Sequence, residues 1–575
     1  MAVSASMESV PKLRNPAPTD GLVLQLLLET RARLIRGAAG TWPSAAASCA
    51  AGLAMALALS RSEFSWLAWI ALIPLLAVVS ARPLRAVCGY SWLVGLTLFS
   101  GTFYWIAFTY HHYADKPYLD SVSRVLLLSG FEAIFVSASV GAAIFICRRL
   151  RLSVIVALPT AWVAGEFLRG AFPISCPWAL LGYALSGDLS VIQIAGITGA
   201  YGVSWFIVFI NAALFSLILS IEHHNKREAL RISLGTCVLA VAVVGFGVFR
   251  LERARGPVSH KILAVGIVQG GLPPTFHFRR ESVPPAFSVY EAATDSLSRS
   301  HPDLVIWPEN AIGFLFQADG FYPHSLDLER RYRSKVLELA RRDHTPLLFG
   351  APALYLGSPL SMRDRAYLVS AQGQLVNYTD KIELVPFSEY LPAPSILDRF
   401  MGQLISRELP LSAGHTKQVL YIDNIGLGAV ICYEANFPYV NRQLVEAGSD
   451  VLINISNDAW FGRSSAPHQL LSIDVFRAVE NHVPLIRVAN SGISAVISPT
   501  GQIKGRTPLF VRTSEIESVA VGGAGTFYTR HGDLFAQWCL GLTILGLLLA
   551  VFVAIGENDT TKPDRTLKKH PTDGR

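Results

Sequence analysis

The chain has 575 residues, of which 51% are hydrophobic and only 16% charged, and it carries a net charge of +7. That length allows two or three domains, and so small a share of charge excludes an ordinary soluble protein and points to a membrane protein. The basic residues cluster in short loops and in both tails, a topology signal rather than a nucleic-acid footprint, and there is no Walker loop, CxxC pair or low-complexity tract.

Residues 1–40 read as a polar to mixed cytoplasmic segment with Lys12, Arg14, Arg31, Arg33 and Arg36. Leu22–Leu28 is too short to span, and the first long apolar run comes too late for a cleavable signal peptide. Apolar runs near the ~20 residues that a bilayer core requires then predict spans over Trp42–Ser60, Phe64–Ser80, Ala86–Phe108, Val125–Cys147, Val154–Leu168, Leu189–Ser220 and Ile232–Phe249. The sixth is long enough to be tilted or broken at Gly199–Gly202, and the fifth is short and contains Pro159. Leu534–Ile555 makes an eighth.

Loop charge orients these spans. Arg82, Arg85, Arg148, Arg149, Arg151, Lys226, Arg227 and Arg231 fall on the side of the N-terminal arginines, with Lys562, Arg565, Lys568, Lys569 and Arg575 in the tail. The other side's short loops offer only Arg61, Lys116, Arg124 and Arg169. The positive-inside rule makes both termini cytoplasmic. The expected division is a membrane domain over 41–251 with about seven helices, an extracytoplasmic domain over 252–533, a final span over 534–556 and a cytoplasmic tail over 557–575.

Within the spans, Glu132 and Glu166 are functional candidates by default, unless both sit wet at an interface. The loop from Phe172 to Trp178, rich in proline and aromatics, reads as an interfacial anchor, or else as a re-entrant piece lining a lipid path.

After residue 252 the pattern changes to short apolar strands alternating with amphipathic helices. Strands are predicted at Ile262–Val268, Leu304–Trp307, Pro346–Phe349, Ala366–Ser370, Leu375–Tyr378, Val419–Ile422, Gly426–Ile431, Val451–Ile455, Pro484–Val488, Ser494–Ser498 and Gln502–Gly505. Helices are predicted at Val289–Ser298, Leu328–Arg342, near Val440–Ala447 and at Gln469–Asn481. Hairpin turns at Gln372-Gly373 and Pro499-Thr500-Gly501 complete an α/β layered pattern.

Of the cysteines at 49, 88, 147, 176, 237, 432 and 539, only Cys432 falls in this segment. It follows an apolar strand and precedes Tyr433 and Glu434, so it sits at a bend where a sulfur can stand clear of its backbone. A lone cysteine is otherwise a small core residue. Glu309 follows Leu304–Trp307 and Pro308, and Lys381 follows Leu375–Tyr378, Thr379 and Asp380; each lies just past a strand, where α/β sheets place reactive groups. Taken singly, Glu309 reads as a helix-start acid and Lys381 as a surface lysine. Together with Cys432 they make chemical sense. A thiol is a poor nucleophile until something takes its proton. A carboxylate lifted by burial can act as that base, and an ammonium beside it can stabilise a thiolate and an oxyanion. His277, His415, His468 and His482 form no evident Cys–His arrangement.

Trp307-Pro308-Glu309, Lys381 before Leu384-Val385-Pro386-Phe387, and Ile431-Cys432-Tyr433-Glu434 resemble the Glu–Lys–Cys triad of the nitrilase superfamily. Val268-Gln269-Gly270, Ser456 through Gly462, Arg487 with Asn490 through Val496, Pro499-Thr500-Gly501, Cys176-Pro177-Trp178 with Leu181-Gly182-Tyr183, and Tyr528 with Gly532-Asp533 are similar to the apolipoprotein N-acyltransferase family within it. The resemblance covers most of the chain beyond about residue 40. It implies a polytopic α-helical membrane domain of about eight spans plus an α/β nitrilase-like αββα sandwich, in a bacterial cytoplasmic (inner) membrane with the catalytic domain on the periplasmic side. It implies acyl transfer from a phospholipid donor, through a Cys432 thioester, to the α-amino group of diacylglyceryl-modified apolipoproteins. Membrane lipids are then the other partners, no nucleic acid is involved, and no metal, ATP or organic cofactor is needed. Glu309 is the implied base, Lys381 the electrostatic partner, Cys432 the nucleophile, and Glu389, Tyr433 and Glu434 support them. Trp178, Trp460 and Phe278 are the implied substrate-binding residues.

Departures from the family pattern are Ser388 where glycine is usual, Phe278 where tryptophan is frequent, and Cys176 in the Pro-Trp stretch. They bear on substrate preference and lid motion rather than reaction type. Two other readings stand beside the first: a membrane-anchored carbon–nitrogen hydrolase using the same triad, and a non-enzymatic membrane or transport protein. An acyltransferase needs a groove open to the bilayer, so exposed apolar residues are expected at Phe314-Leu315-Phe316 or Leu397–Leu404.

Overall fold

The computed structural model describes residues 41–172, 177–254, 261–274, 280–316, 327–355, 361–390, 411–523 and 525–560. The expected N-terminal segment 1–40, most of the tail, Phe278, Cys176 and Leu397–Leu404 lie outside them. Among the described residues eight helices are long and apolar enough to cross a membrane: Thr41–Ser60, Ser62–Val79, Leu84–Phe103, Tyr118–Leu150, Val154–Ala171, Ala200–Glu222, Lys226–Ala254 and Leu534–Gly556. The first buries Ser44, Ala47, Ser48, Ala51 and Gly52, small residues that let it lie close against Leu84–Phe103.

Three predicted spans have different internal structure. Ser62–Val79 is a 3-10 helix, Ser62–Trp69, followed by an α-helix, Ile73–Val79. Backbone groups freed by such a break need partners inside a bilayer. Asn211 supplies them, donating from Nδ2 to Ala68 O (2.8 Å) and accepting at Oδ1 from Leu72 N (2.9 Å). Ala86–Phe108 ends early, because the helix stops at Phe103 and a second one runs Trp105–Tyr113. Leu189–Ser220 is two short helices and a long one, Ala200–Glu222, divided at Gly199. Gly199 has φ +66, and a Cβ there would lie 2.7 Å from the Tyr528 ring, so only glycine fits this turn.

The intramembrane charges also differ from expectation. Arg169 is not a loop residue: it is 2% exposed in the Val154–Ala171 helix, with Nη1 3.4 Å from Glu132 Oε2. Arg124 lies in the Tyr118–Leu150 helix and pairs with Asp120 at 2.9 Å. Neither Glu132 nor Glu166 is wet. Glu166 Oε1 accepts from Trp162 Nε1 (3.0 Å) and from Leu181 N (2.8 Å), so it holds the loop that follows its own helix. Trp178 in that loop is no interfacial anchor, being buried and bonded to the second domain.

That domain carries strands β1 (Lys261–Gln269), β2 (Leu304–Ile306), β3 (Leu347–Tyr355), β4 (Ser361–Val369), β5 (Leu375–Asp380), β6 (Leu420–Ile422), β7 (Ile425–Ile431), β8 (Val451–Ser456), β9 (Leu485–Ala489), β10 (Ala495–Ile497), β11 (Ile503–Lys504) and β12 (Thr513–Val521). They form two six-stranded sheets, ordered β12-β1-β2-β3-β4-β5 and β11-β10-β9-β8-β7-β6. Strands β1, β2 and β3 are parallel, as are β7, β8 and β9, and the outer strands add antiparallel. β12 was not expected: its sequence is mostly half-exposed, and only its nine-residue register against β1 makes it a strand.

Side-chain alternation builds the layers. Leu427, Ala429 and Ile431 of β7, with Val451, Ile453 and Ile455 of β8, face Leu263, Val265, Ile267, Leu304 and Ile306 of the other sheet. Val305, Trp307 and Phe349 point the other way, under the helices Val283–Ser298 and Asp327–Arg342. Val430 and Leu452 face the helices Pro438–Glu446 and Ala466–Asn481, and that layer shares one apolar cluster with the membrane helices. The result is the αββα sandwich, with one helical layer seated on the membrane bundle. Phe314 and Phe316 are 3% and 0% exposed, the latter packed on Phe349 and Tyr367, so this stretch is core rather than an exposed lipid-facing loop.

Candidate active site

Because β2, β5, β7 and β8 run in compatible directions, the residues after them meet at one edge of the sandwich. Lys381 follows β5 and is fully buried. Its Nζ lies 3.1 Å from Glu309 Oε1, 2.7 Å from Glu389 Oε1 and 3.9 Å from Asp364 Oδ2. These three carboxylates converge closely enough to hold a cation, and the lysine ammonium occupies that role. Glu309 Oε2 accepts from Asn457 N (3.0 Å), just past β8, and Glu389 Oε2 accepts from Val385 N (2.9 Å). Asn457 is in turn held by Asn490 Nδ2 at 3.0 Å.

Cys432 opens a 3-10 turn directly after β7, with φ +53. Asn310 (φ +47), beside Glu309, and Phe387 (φ +61), two residues before Glu389, share the left-handed region. Each such residue costs about 1–3 kcal/mol and persists only where its surroundings over-determine it. Glu434 does so for the cysteine turn. Its Oε2 accepts from Ile431 N (2.7 Å), its Oε1 from Ile382 N (2.6 Å), and Lys417 Nζ lies 2.6 Å from Oε2. One buried carboxylate thus ties the nucleophile's turn to the loop that carries the lysine.

The electrostatics follow from burial and surplus negative charge. Burial pushes Glu309 up to about 7; Lys381 pulls it down, and Asp364 and Glu389 add to the rise. Burial alone would lower Lys381, but Glu309 and Glu389 outweigh it and hold the ammonium well above its usual value. The Cys432 thiol is pushed well above its usual value by burial, then by Glu309, against the pull of Lys381. The resting site is therefore a neutral thiol beside a permanent ammonium and a carboxylate that ionises near neutral pH.

A cavity of about 390 Å³ adjoins this edge. One wall is made by ends of membrane helices, including Gly170, Phe172 and Tyr201; the other comes from the loops after Lys381 and Cys432, including Leu384, Tyr433 and Phe437. Neither Trp178 nor Trp460 lines it. Trp178 is 4% exposed and donates to Gln469 Oε1 (2.8 Å), while Gln469 Nε2 donates to Thr102 O (3.2 Å). Trp460 O accepts from Thr109 Oγ1 (2.9 Å), and its ring meets Tyr113 edge-on at 5.1 Å. Both tryptophans join the bundle to the sandwich. Neither Asp364 nor Lys417 lies in a distinctive sequence motif; Asp364 comes in on β4, and Lys417 from the loop before β6.

Residues 51–213 match the apolipoprotein N-acyltransferase N-terminal domain, and residues 264–521 match the carbon-nitrogen hydrolase family. An apolipoprotein N-acyltransferase of Geobacter metallireducens is 34% identical over 495 residues, 85% of this chain and 92% of that protein. Another, from Brucella suis, is 31% identical over 84% of this chain and 88% of its own length. Among solved structures, an amidase from Nesterenkonia sp. AN1 aligns with 48% of this chain and 99% of its own at 18% identity and a TM-score of 0.34. The relatives and the two domain matches agree with a membrane bundle followed by a sandwich, and the chain belongs to the apolipoprotein N-acyltransferase family.

Proposed function

We propose that the protein transfers a fatty acyl chain from a membrane phospholipid to the α-amino group of a diacylglyceryl-modified N-terminal cysteine of apolipoproteins. The observation that carries this reading is the convergence of Glu309, Lys381 and Cys432 beside a cavity shared between membrane helices and the sandwich. A hydrolase of small amides has no use for a wall made of membrane spans.

In the first step Glu309 takes the proton from Cys432 Sγ as the sulfur attacks the ester carbonyl carbon. The developing oxyanion faces the Lys381 ammonium. The S–C bond forms, the ester C–O bond breaks, and Glu309 returns the proton to the leaving alkoxide, releasing a lysophospholipid. In the second step the neutral α-amine attacks the thioester carbon. The N–C bond forms, the C–S bond breaks, and the amine proton passes through Glu309 to the sulfur, restoring the thiol. Glu389 and Asp364 hold the lysine charged and in place; Tyr433 borders the cavity, and Glu434 fixes the turn. Trp178 and Trp460, outside the cavity, brace the bundle–sandwich junction instead of binding substrate. The division into 41–251, 252–533 and 534–556, an inner-membrane location and a periplasmic catalytic domain follow from the arginine-rich loops and belong to the same proposal.

Intact mass after incubation with phospholipid tests the reading, wild type beside Cys432→Ala. A fatty-acyl mass increase that hydroxylamine removes, present only in the wild type, is the expected result. Its absence from folded wild type across several donor lipids would favour the amidase reading.

A further inference from the structure

The cavity beside the triad has an unbalanced charge. Its described lining includes two carboxylates, Glu383 and Asp533, and no lysine, arginine or histidine. Aromatic side chains make up much of the rest, Tyr390, Tyr433, Phe437 and Tyr439 among them on the sandwich side. Tyr433 and Phe437 meet edge-to-face at 5.3 Å, and Phe437 and Tyr439 at 6.1 Å, so the wall is a packed aromatic surface. Tyr439 OH donates to Glu383 Oε1, and Glu383 makes no ion pair with a described residue. Asp533, directly before the last span, accepts from Tyr528 OH at 2.8 Å.

A carboxylate on an aromatic wall is the chemistry that recognises an ammonium. The carboxylate supplies the counter-charge, and the ring faces attract the cation through their quadrupoles. We propose that this cavity binds the ammonium group of a lipid substrate, with Glu383 as its counter-charge and Tyr439 holding that carboxylate in place. The inference rests on the acyl-transfer reading and names the polar group which that site selects.

Several observations support it together. Glu383 lies two residues after Lys381, and Tyr433 directly follows Cys432, so the loops that carry the lysine and the nucleophile also wall the cavity. Glu383 N also contacts Glu434 Oε1 (3.4 Å), which fixes the cysteine turn. Burial raises Glu383 despite the Tyr439 bond, as a carboxylate without a cation requires; an ammonium would reverse that. Two sources share the chemistry: the head group of an ethanolamine phospholipid donor, and the free α-ammonium of the acceptor.

The experiment uses the full-length protein in nanodiscs, as wild type, Glu383→Gln, Glu383→Lys and Tyr439→Phe. Thioester formation is timed with phosphatidylethanolamine and with phosphatidylglycerol of identical acyl chains. Transfer from the preformed thioester to a diacylglyceryl peptide is timed separately. If the donor head group is the ligand, Glu383→Gln lowers the ethanolamine-to-glycerol rate ratio by roughly tenfold, the lower range for a hydrogen bond to a charged group, and Glu383→Lys inverts it. If the acceptor is the ligand, the ratio stays constant and KM for the peptide rises about tenfold with kcat little changed. Tyr439→Phe moves the same quantity less. The ratio is internal to each preparation, so loss of folded protein lowers both rates alike. A normal wild-type thioester with neither ratio nor KM altered in Glu383→Gln and Glu383→Lys would overturn this inference alone. A wild type that forms no thioester would overturn the acyl-transfer reading, and this inference with it.

Discussion

Two of the buried cations that the sandwich sets among carboxylates, Arg487 and Lys381, are built for opposite ends. Arg487 reaches Asp458 Oδ2 and Asp474 Oδ2, each at 2.7 Å, and donates from Nε to Ile493 O at 3.0 Å. Asp474 also accepts from Asn454 Nδ2, and Ser456 Oγ donates to Asp458. Its planar fork spreads over fixed partners, and every group is fully buried. Lys381 instead presents one compact ammonium to three carboxylates at an edge bordered by a cavity. Burial, with Asp364 and Glu389 adding to it against the pull of Lys381, drives Glu309 up to about 7. The lesson is that burial of charge alone says little about function. Surroundings say more: both clusters hold more carboxylates than cations, but the arginine fork is closed among fixed partners in the core and is scaffold, whereas the lysine cluster stands at an edge bordered by a cavity, where Glu309 is placed to carry a proton.

The contrast breaks most visibly at Glu309. Glu309→Gln keeps the shape and removes the base, so thioester formation in single-turnover assays is expected to fall about 10²- to 10⁴-fold; a change under about threefold would return Glu309 to the scaffold class. Lys381→Met is expected to lose about 10²- to 10³-fold through the oxyanion. It also leaves Glu309, Glu389 and Asp364 unscreened, so thermal unfolding should be followed alongside.

Arg487→Met sharpens the other side of the contrast. Stranding Asp458 and Asp474 is expected to cost about 3–5 kcal/mol of stability in denaturant unfolding. Acylation per folded molecule should fall far less than in Glu309→Gln, and an equal fall would erase the distinction.

The pH profile is a milder probe. Glu309 acts as a base only when ionised, and its raised value of about 7 places that change near neutrality. The acylation rate should rise about tenfold per pH unit below that value and level off above it. A level profile from about pH 5.5 to 8 would mean another group takes the thiol proton.

Least is expected of Trp178→Phe. It removes the indole bond to Gln469 but keeps the ring packing against Trp105, centroids 5.2 Å apart. About 1 kcal/mol of stability is the usual effect of one such bond. A large fall in acylation at near-normal stability would instead show that the bundle–sandwich junction positions the site.

Much of this protein is legible without coordinates, because local patterns carry it. The short apolar runs Leu427–Ile431 and Val451–Ile455 mark buried strands whose inward residues meet across the sheets. Glu309, Lys381 and Cys432 each announce themselves by standing just past such a strand. Yet the same locality misplaced Arg169, which reads as loop charge but lies buried against Glu132, and Trp178, which reads as an anchor but is a buried tie. Phe314 and Phe316 likewise read as exposed and prove to be core.

By itself the sequence determined what short-range chemistry can encode: spans from apolar length, layers from periodicity, and reactive side chains at strand ends. Tertiary structure alone decided which charges share a dielectric. Asp364 and Glu389 reach Lys381, Lys417 reaches Glu434, and Asn211 mends a helix break more than a hundred residues away, through contacts that no window of sequence contains. The physical reason is that a pKa, an ion pair and a satisfied backbone group depend on distance in space, and folding sets those distances independently of separation along the chain.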